Sequence, residues 1–286
     1  MAVNLQQVKF AYNTPKKKTP VRYVLNDINL HIDACDEMIT LVGESGTGKS
    51  TLVQLLNGLL FTSFGEVTVF GKALRNDKKI KLKDTRKKVG LVFQFPEHQL
   101  FEETVLQDVC FGPKNFKMEN PIELAKEALS VVGIDSSLYE AVPFNLSGGQ
   151  MRRVAIAGIL ASNPDILVFD EPTVGLDPEG KKELLELLKK LNEEHHKTII
   201  LVTHDMDIVG QIAKRVVVLE KGFIAYDGDK TTLFKNEELL KKCSLDYPNT
   251  IKILKEIKRK FNVEIDEYQY SIEDVYQELK KVFGDE

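Results

Sequence analysis

The chain has 286 residues, enough to bury a large core as one big domain or two smaller ones. Hydrophobic content of 43%, charged content of 29% and a net charge of −4 are ordinary for a soluble globular protein, and so small a charge implies no nucleic-acid partner. No apolar run reaches the ~18 residues of a membrane-spanning helix and no signal peptide is evident, so the expectation is a cytosolic chain that meets a membrane only through a partner.

Cys35, Cys110 and Cys243 lie far apart without metal-ligand spacing and read as packing residues or free thiols. The lysine-rich stretches, Lys16-Lys17-Lys18 and 78–88, read as solvated surface. Residues 3–12 alternate polar and apolar side chains, and 24–32 repeat the pattern through Leu25, Ile28, Leu30 and Ile32. This predicts two strands of a half-exposed antiparallel sheet, joined by a loop at 13–20, with a further strand at 66–70. Tyr12, at the end of the first strand, is either an aromatic placed to stack on an adenine or a structural tyrosine, and spacing leaves both open.

Residues 38–42 read as a short buried strand, and 50–60 as a helix with Leu52, Leu55, Leu56 and Leu59 on one face. Between them runs Gly43-Glu44-Ser45-Gly46-Thr47-Gly48-Lys49-Ser50-Thr51, which fits G-x-x-x-x-G-K-[ST]. A strand feeding a glycine-rich turn into a helix aims free amides and the positive end of a helix dipole at one anion. In that arrangement Lys49 is a positive charge for the β- and γ-phosphates of a nucleotide, and the Ser50 hydroxyl is a ligand for Mg²⁺.

Residues 89–93 read as a buried strand ending at Gln94. A proline-broken loop, Phe95-Pro96-Glu97-His98-Gln99-Leu100-Phe101, follows and exposes aromatic side chains as a docking surface. Helices are expected at 103–115 and 121–132, the second with Asn120 as N-cap and Pro121 at N1. Ser147 caps another helix running to about Ala161, opened by Leu146-Ser147-Gly148-Gly149-Gln150, and the two glycines leave its first amides uncovered as a second anion site; alone, S-G-G-Q reads better as a plain capped turn. Four apolar residues, Ile166, Leu167, Val168 and Phe169, close on Asp170 and Glu171, a buried strand that delivers two carboxylates at its C-terminal end. Asp170 suits a Mg²⁺ contact and Glu171 suits polarising a water.

Asp177 then caps a helix with Pro178 at N1 and a core stripe of Leu184, Leu187, Leu188 and Leu191. Residues 198–203 form a further buried strand that ends at His204, which is structural or faces a γ-phosphate. A hairpin follows at 216–226 through Lys221-Gly222. Beyond about Asp246 two amphipathic helices, at 249–261 and 271–283, turn Ile251, Leu254, Ile257 and Val275, Leu279, Val282 inward.

The phosphate loop, Gln94, L-S-G-G-Q, V-F-D-E-P, the G-L-D of Gly175 to Asp177 and Thr203-His204 stand in one order, and with them the chain resembles an ATP-binding-cassette ATPase over residues 1–245. The 95–105 stretch and the run from Gln150 to Gly158 resemble, more narrowly, the ATPase subunits of energy-coupling factor (ECF) transporters, most of all the second of two paralogous ATPases in vitamin-type systems. The departure is Glu44-Ser45, where such ATPases often carry other residues. The resemblance implies an α/β P-loop NTPase, with a RecA-like, mostly parallel sheet flanked by helices and an antiparallel β subdomain. It also implies a helical subdomain near 102–161 and a C-terminal helical module at 246–286.

The same resemblance assigns ATP and Mg²⁺ as cofactors. It places Tyr12 against adenine and makes Ser50, Gln94 and Asp170 the metal set. Glu171 becomes the general base, assisted by His204 as switch, Gln94 and Lys49. Ser147, Gly148, Gly149 and Gln150 become the signature, and Asp177 an inter-subunit acid. The implied partners are a second, paralogous ATPase, a transmembrane coupling subunit docked near 95–101 and, indirectly, a substrate-specific membrane subunit. No nucleic acid is expected, and the implied place is the cytoplasmic face of the cell membrane. The rivals are a conventional binding-protein-dependent importer, a soluble ABC ATPase, and a P-loop kinase, which would not need the signature or Asp177.

Overall fold

The computed structural model describes residues 2–13, 21–77 and 82–284. The chain opens with β1 (Val3–Phe10), β2 (Leu25–Ile32), β3 (Met38–Val42), α1 (Lys49–Leu56), β4 (Phe64–Val69) and β5 (Lys72–Ala73). Next come α2 (Lys83–Lys88), β6 (Val89–Val92), α3 (Val105–Phe116), α4 (Pro121–Val131), α5 (Gly148–Leu160), β7 (Ile166–Asp170), α6 (Pro178–Glu193) and β8 (Thr198–Val202). The remainder is α7 (Met206–Ile212), β9 (Arg215–Glu220), β10 (Phe223–Asp229), α8 (Lys230–Lys235), α9 (Glu237–Lys242), α10 (Asn249–Phe261) and α11 (Ile272–Phe283).

The strands form two sheets. One is antiparallel, in the order β2-β1-β4-β5, and the other runs β10-β9-β3-β8-β7-β6. In the larger sheet β9-β3-β8-β7-β6 are parallel neighbours and β10 is an antiparallel edge. All five residues of β3, β7 and β8 are buried, because a parallel sheet has helices or a second sheet on both faces and its strands become unbroken apolar runs. Strand β7 shows the two faces directly. Ile166 and Val168 join the core shared with the antiparallel sheet and α1, whereas Leu167 and Phe169 join the core of α3, α4, α5 and α6.

A third core gathers Val216 and Val218 of β9, Val209 of α7, Phe234 of α8 and Ile251 of α10. The C-terminal segment is thereby keyed to the helix that follows His204. Asn249 donates its backbone N–H and its Nδ2 to the Asp207 carboxylate, both at 2.6 Å, and Lys230 lies 4.4 Å from the ring centre of Tyr270. Ile251 and Leu254 are fully buried, as the helical pattern requires, but Ile257 is half-buried. Val275, Leu279 and Val282 are half-buried as well, since α11 packs at the rim of the molecule and has no fully buried residue.

Some local expectations need correction. The charged stretch before β6 is helix α2 where described, held by one buried residue, Thr85. Asn120 precedes α4 but makes no side-chain cap; its φ of +51° lies in the left-handed region, not the extended one from which N-caps reach back. The short helices α7, α8 and α9 are too short to carry a helical periodicity in sequence. The lysines at 16–18, the loop at 14–20 and residues 78–81 lie outside the described residues. Because Ile251 is a fully buried anchor of the C-terminal segment, Ile251→Ala is expected to cost about 2–5 kcal/mol in urea unfolding. A loss below ~1 kcal/mol would show that α10 is not packed as described.

Candidate functional site

The phosphate loop leaves β3 and enters α1 with three glycines in conformations that L-residues avoid. Two of them are required by their surroundings. At Gly43 (φ +146°) a Cβ would sit 2.2 Å from the Leu219 carbonyl oxygen, and at Gly48 (φ +105°) it would sit 2.8 Å from Leu25 Cδ2. Gly48 is also the N-cap of α1, so no side chain covers the first amides of that helix. Lys49 is buried, and its Nζ donates to the carbonyls of Gly43 (2.7 Å) and Glu44 (2.8 Å). Burial lowers the Lys49 pKa, against the opposing pull of Glu171 and Asp170. The lysine is thus a fixed charge inside the loop, not a free arm.

The parallel order β3-β8-β7-β6 sets the C-terminal ends of these strands side by side, with His204 after β8, Asp170 and Glu171 at β7 and Gln94 after β6. Ser50 Oγ donates to Asp170 Oδ1 at 3.1 Å. Asp170 is buried, which raises its pKa; the Glu171 charge adds to this, while Ser50 and Lys49 oppose it. Glu171 adopts φ +51°, in the left-handed region, while its N–H donates to the Val202 carbonyl at 3.0 Å and fixes the turn against β8. His204 Nδ1 lies 3.0 and 2.9 Å from the two Glu171 carboxylate oxygens.

Asp170 is buried in contact with Ser50, and Ser45, Gly46, Lys49, Ser50, Gln94, Glu171 and His204 line a cleft of about 630 Å³. Tyr12 stands on its outer wall, 63% exposed, with its OH 2.9 Å from Thr51 Oγ1 and its ring edge-on to Phe10. An exposed aromatic held from behind offers its free face to a flat ligand.

Ser147, Gly148, Gly149, Gln150 and Asp177 do not line this cleft. Ser147, Gly148 and Gly149 are exposed at the start of α5, where Ser147 Oγ accepts from the Gln150 N–H and Gln150 Oε1 accepts from the Ser147 N–H. The S-x-x-Q spacing is the local sequence signature of such a reciprocal capping box. Asp177 is also exposed, and it accepts from the Gly180 N–H at 2.8 Å as the cap of α6.

The segment after Gln94 departs from a plain loop. Pro96–Gln99 is one turn of 3₁₀ helix, with Phe95 and Phe101 exposed at its ends. Leu100 is buried, because it plugs the core of the helical layer, so it is not part of an exposed docking surface. Phe111 of α3, unremarked in the sequence, meets Phe101 edge-on at 5.0 Å and is 48% exposed.

A phosphate loop, a pair of adjacent acids of which Asp170 is buried, a glutamine and a histidine on neighbouring strand ends define a P-loop ATPase. The profile of the ABC transporter family matches residues 25–174. An energy-coupling factor transporter ATP-binding protein EcfA2 of Bacillus cereus is 44% identical over 286 residues, covering 99% of this chain and 96% of its own length. The protein of the same name from Bacillus subtilis is 45% identical over 94% of this chain and 99% of its own. Among solved structures, cbiO1 of Clostridium perfringens, described as part of the ABC transporter complex cbiONQ, superposes with a TM-score of 0.74 at 34% identity, over 92% of this chain and 99% of its own. The dimeric cassette MJ0796 bound to ADP and Pi gives 0.68 at 32% identity, over 79% and 98%. The chain belongs to the ABC transporter ATPases, and within them to the ATP-binding proteins of energy-coupling factor transporters.

Since the α1 amides are free only while Gly48 holds φ +105° against Leu25, Gly48→Ala is expected to weaken nucleotide binding by about tenfold or more, from roughly 1–3 kcal/mol of backbone strain. Calorimetric titration with ATP checks this, and an affinity equal to that of the unaltered chain would contradict it.

Proposed function

We propose that this ATPase binds ATP with its triphosphate along the loop from Gly43 to Thr51 and its adenine against Tyr12. The observation that carries this reading is the row of groups across β3, β8, β7 and β6, with Ser50 Oγ 3.1 Å from Asp170 Oδ1. That separation is about the edge of an octahedron with ~2.1 Å metal–oxygen bonds, so the pair fits Mg²⁺. Ser50 and Asp170 would hold the ion, with Gln94 completing the set, and the ion would neutralise charge on the β- and γ-phosphates. Among the described residues no group of three or more His, Cys, Asp or Glu could hold a metal ion. Phosphate oxygens of the nucleotide would supply the remaining ligands.

Glu171 is the general base. It takes a proton from water as the water oxygen bonds to the γ-phosphorus and the bond to the β,γ-bridging oxygen breaks, leaving ADP and phosphate. His204, in contact with both Glu171 oxygens, orients that carboxylate and senses the γ-phosphate. Ser147, Gly148, Gly149, Gln150 and Asp177, which do not line the chain's own cleft, serve the site of a second ATPase, a paralogue in a heterodimer. Residues 1–245 form the cassette and 246–286 a C-terminal extension.

The assembly is peripheral on the cytoplasmic face of a membrane; among the described residues no helix is long and apolar enough to cross one. Phe95, Phe101 and Phe111 form the apolar surface that receives helices of the transmembrane coupling subunit, which in turn carries a substrate-specific subunit for a micronutrient, a vitamin or a cobalt or nickel ion.

Glu171→Gln is expected to bind ATP and to lose about 10²–10⁴ in hydrolysis, the range for removal of a general base. Turnover within about threefold of the unaltered protein would refute the role, since that is far below what a general base contributes. Phe101→Asp places a charge in the apolar surface and is expected to abolish ATP-driven uptake in membrane vesicles while nucleotide affinity holds. Uptake at the unaltered rate would remove this docking site.

A further inference from the structure

Arg152 has no part in the cleft and carries none of the roles assigned so far. It is nevertheless 6% exposed, in the first turns of α5, and all its donors are engaged. Nε and Nη2 reach the two carboxylate oxygens of Glu97 at 3.1 and 3.0 Å, a side-on fork. Nη1 donates to the Pro172 carbonyl at 2.9 Å, and Nη1 and Nη2 reach the Val174 carbonyl at 3.4 and 3.5 Å. Three segments far apart in sequence meet on one planar cation: the 3₁₀ turn between Phe95 and Phe101, the signature helix, and the chain directly after Glu171.

Burial by itself would raise the Glu97 carboxyl, but the Arg152 hydrogen bonds, a backbone amide and the Arg152 charge outweigh it and hold the group below its usual range. Glu97 is therefore a carboxylate at neutral pH. Glu171 needs such an anchor. Its backbone sits at φ +51°, a conformation that persists only where the surroundings over-determine it, and one residue further on the Pro172 carbonyl is gripped by Arg152.

We propose that Arg152 is a positioning residue for hydrolysis, fastening the docking turn through Glu97 to the main chain after Glu171, so that a shift of that turn is delivered to the catalytic carboxylate. The inference rests on the reading of Glu171 as general base. A lysine at 152 cannot replace the guanidinium, because a single ammonium cannot hold a carboxylate fork and two carbonyls in one plane.

The test uses the full chain in its assembled transporter complex, with ATP affinity and single-turnover hydrolysis measured separately. Arg152→Lys is expected to keep ATP affinity within about threefold and to lower the hydrolysis rate by about tenfold or more, as a misplaced catalytic group does. The paired change Glu97→Leu with Arg152→Met removes both charges, an exchange that leaves buried pairs folded, and is expected to show the same loss. The deciding measurement is the cycle with Glu171→Gln. If Arg152 acts through Glu171, adding Arg152→Lys to Glu171→Gln costs no more than about a further twofold, whereas independent effects would multiply.

Full multiplication, or an unaltered rate in both Arg152→Lys and the paired variant, would overturn the proposal while leaving Glu171 as base. Undiminished hydrolysis by Glu171→Gln alone would overturn the underlying reading instead.

Discussion

A triphosphate is a dense line of negative charge, and water holds it well. A protein competes by presenting backbone N–H groups that are already aimed and already dry, so that no reorganisation is needed when the anion arrives. That requirement shapes the whole molecule. Helix α1 must begin without a side-chain cap, hence Gly48 at its N-cap. The loop must turn back under the Leu219 carbonyl, hence Gly43. Strand β3 must be central and buried so that the loop cannot drift, and it lies between β8 and β9 with every residue buried. The smaller sheet supplies Leu25, which packs against the Gly48 backbone, and the bend just after its strand β1 supplies Tyr12, which forms the outer wall.

The carboxylates obey the same constraint with opposite sign. Asp170 is buried, and burial of a charge without a nearby cation is costly. Its ionised form is stabilised by Lys49 and the Ser50 hydroxyl, and on the reading proposed above by a metal ion that arrives with the nucleotide. The cleft is one-sided. A second helix N-terminus, that of α5 at Ser147, Gly148 and Gly149, is exposed outside this cleft and is closed by the reciprocal Ser147–Gln150 capping box. On the reading proposed above, two such surfaces close one site when two subunits meet, and the anion between them ties them together. On the same reading hydrolysis removes that tie, and the apolar patch around Phe101 passes the motion on.

Much of this was legible in the residues, for physical reasons. Strands buried on both faces, such as β3, β7 and β8, read as apolar runs that end abruptly in polar groups, and those ends are where the sheet puts its chemistry. Helix α6 announced itself by Asp177, Pro178 and a leucine stripe. Elements that depend on tertiary packing were not legible. Helix α2 buries a single threonine and carries five charged residues of six, so its pattern is that of a solvated loop. Leu100 looked exposed because it sits among polar and aromatic residues, and only the fold reveals the core it fills. Arg152 and Glu97 are 55 residues apart, and no local rule pairs them. The left-handed backbone of Glu171 is likewise invisible in a sequence that carries no glycine there.

The central claim is that one triphosphate is gripped from both sides, by α1 of one subunit and the Ser147 end of α5 of the other. The most direct measurement is the distance between a spin label beside Ser147 and one on the phosphate loop of the facing ATPase subunit, read by pulsed electron resonance in the membrane-embedded complex. The account predicts a single short distance with a non-hydrolysable ATP analogue and Mg²⁺, and a longer, broader distribution with ADP. A distance that is the same in both states would contradict it.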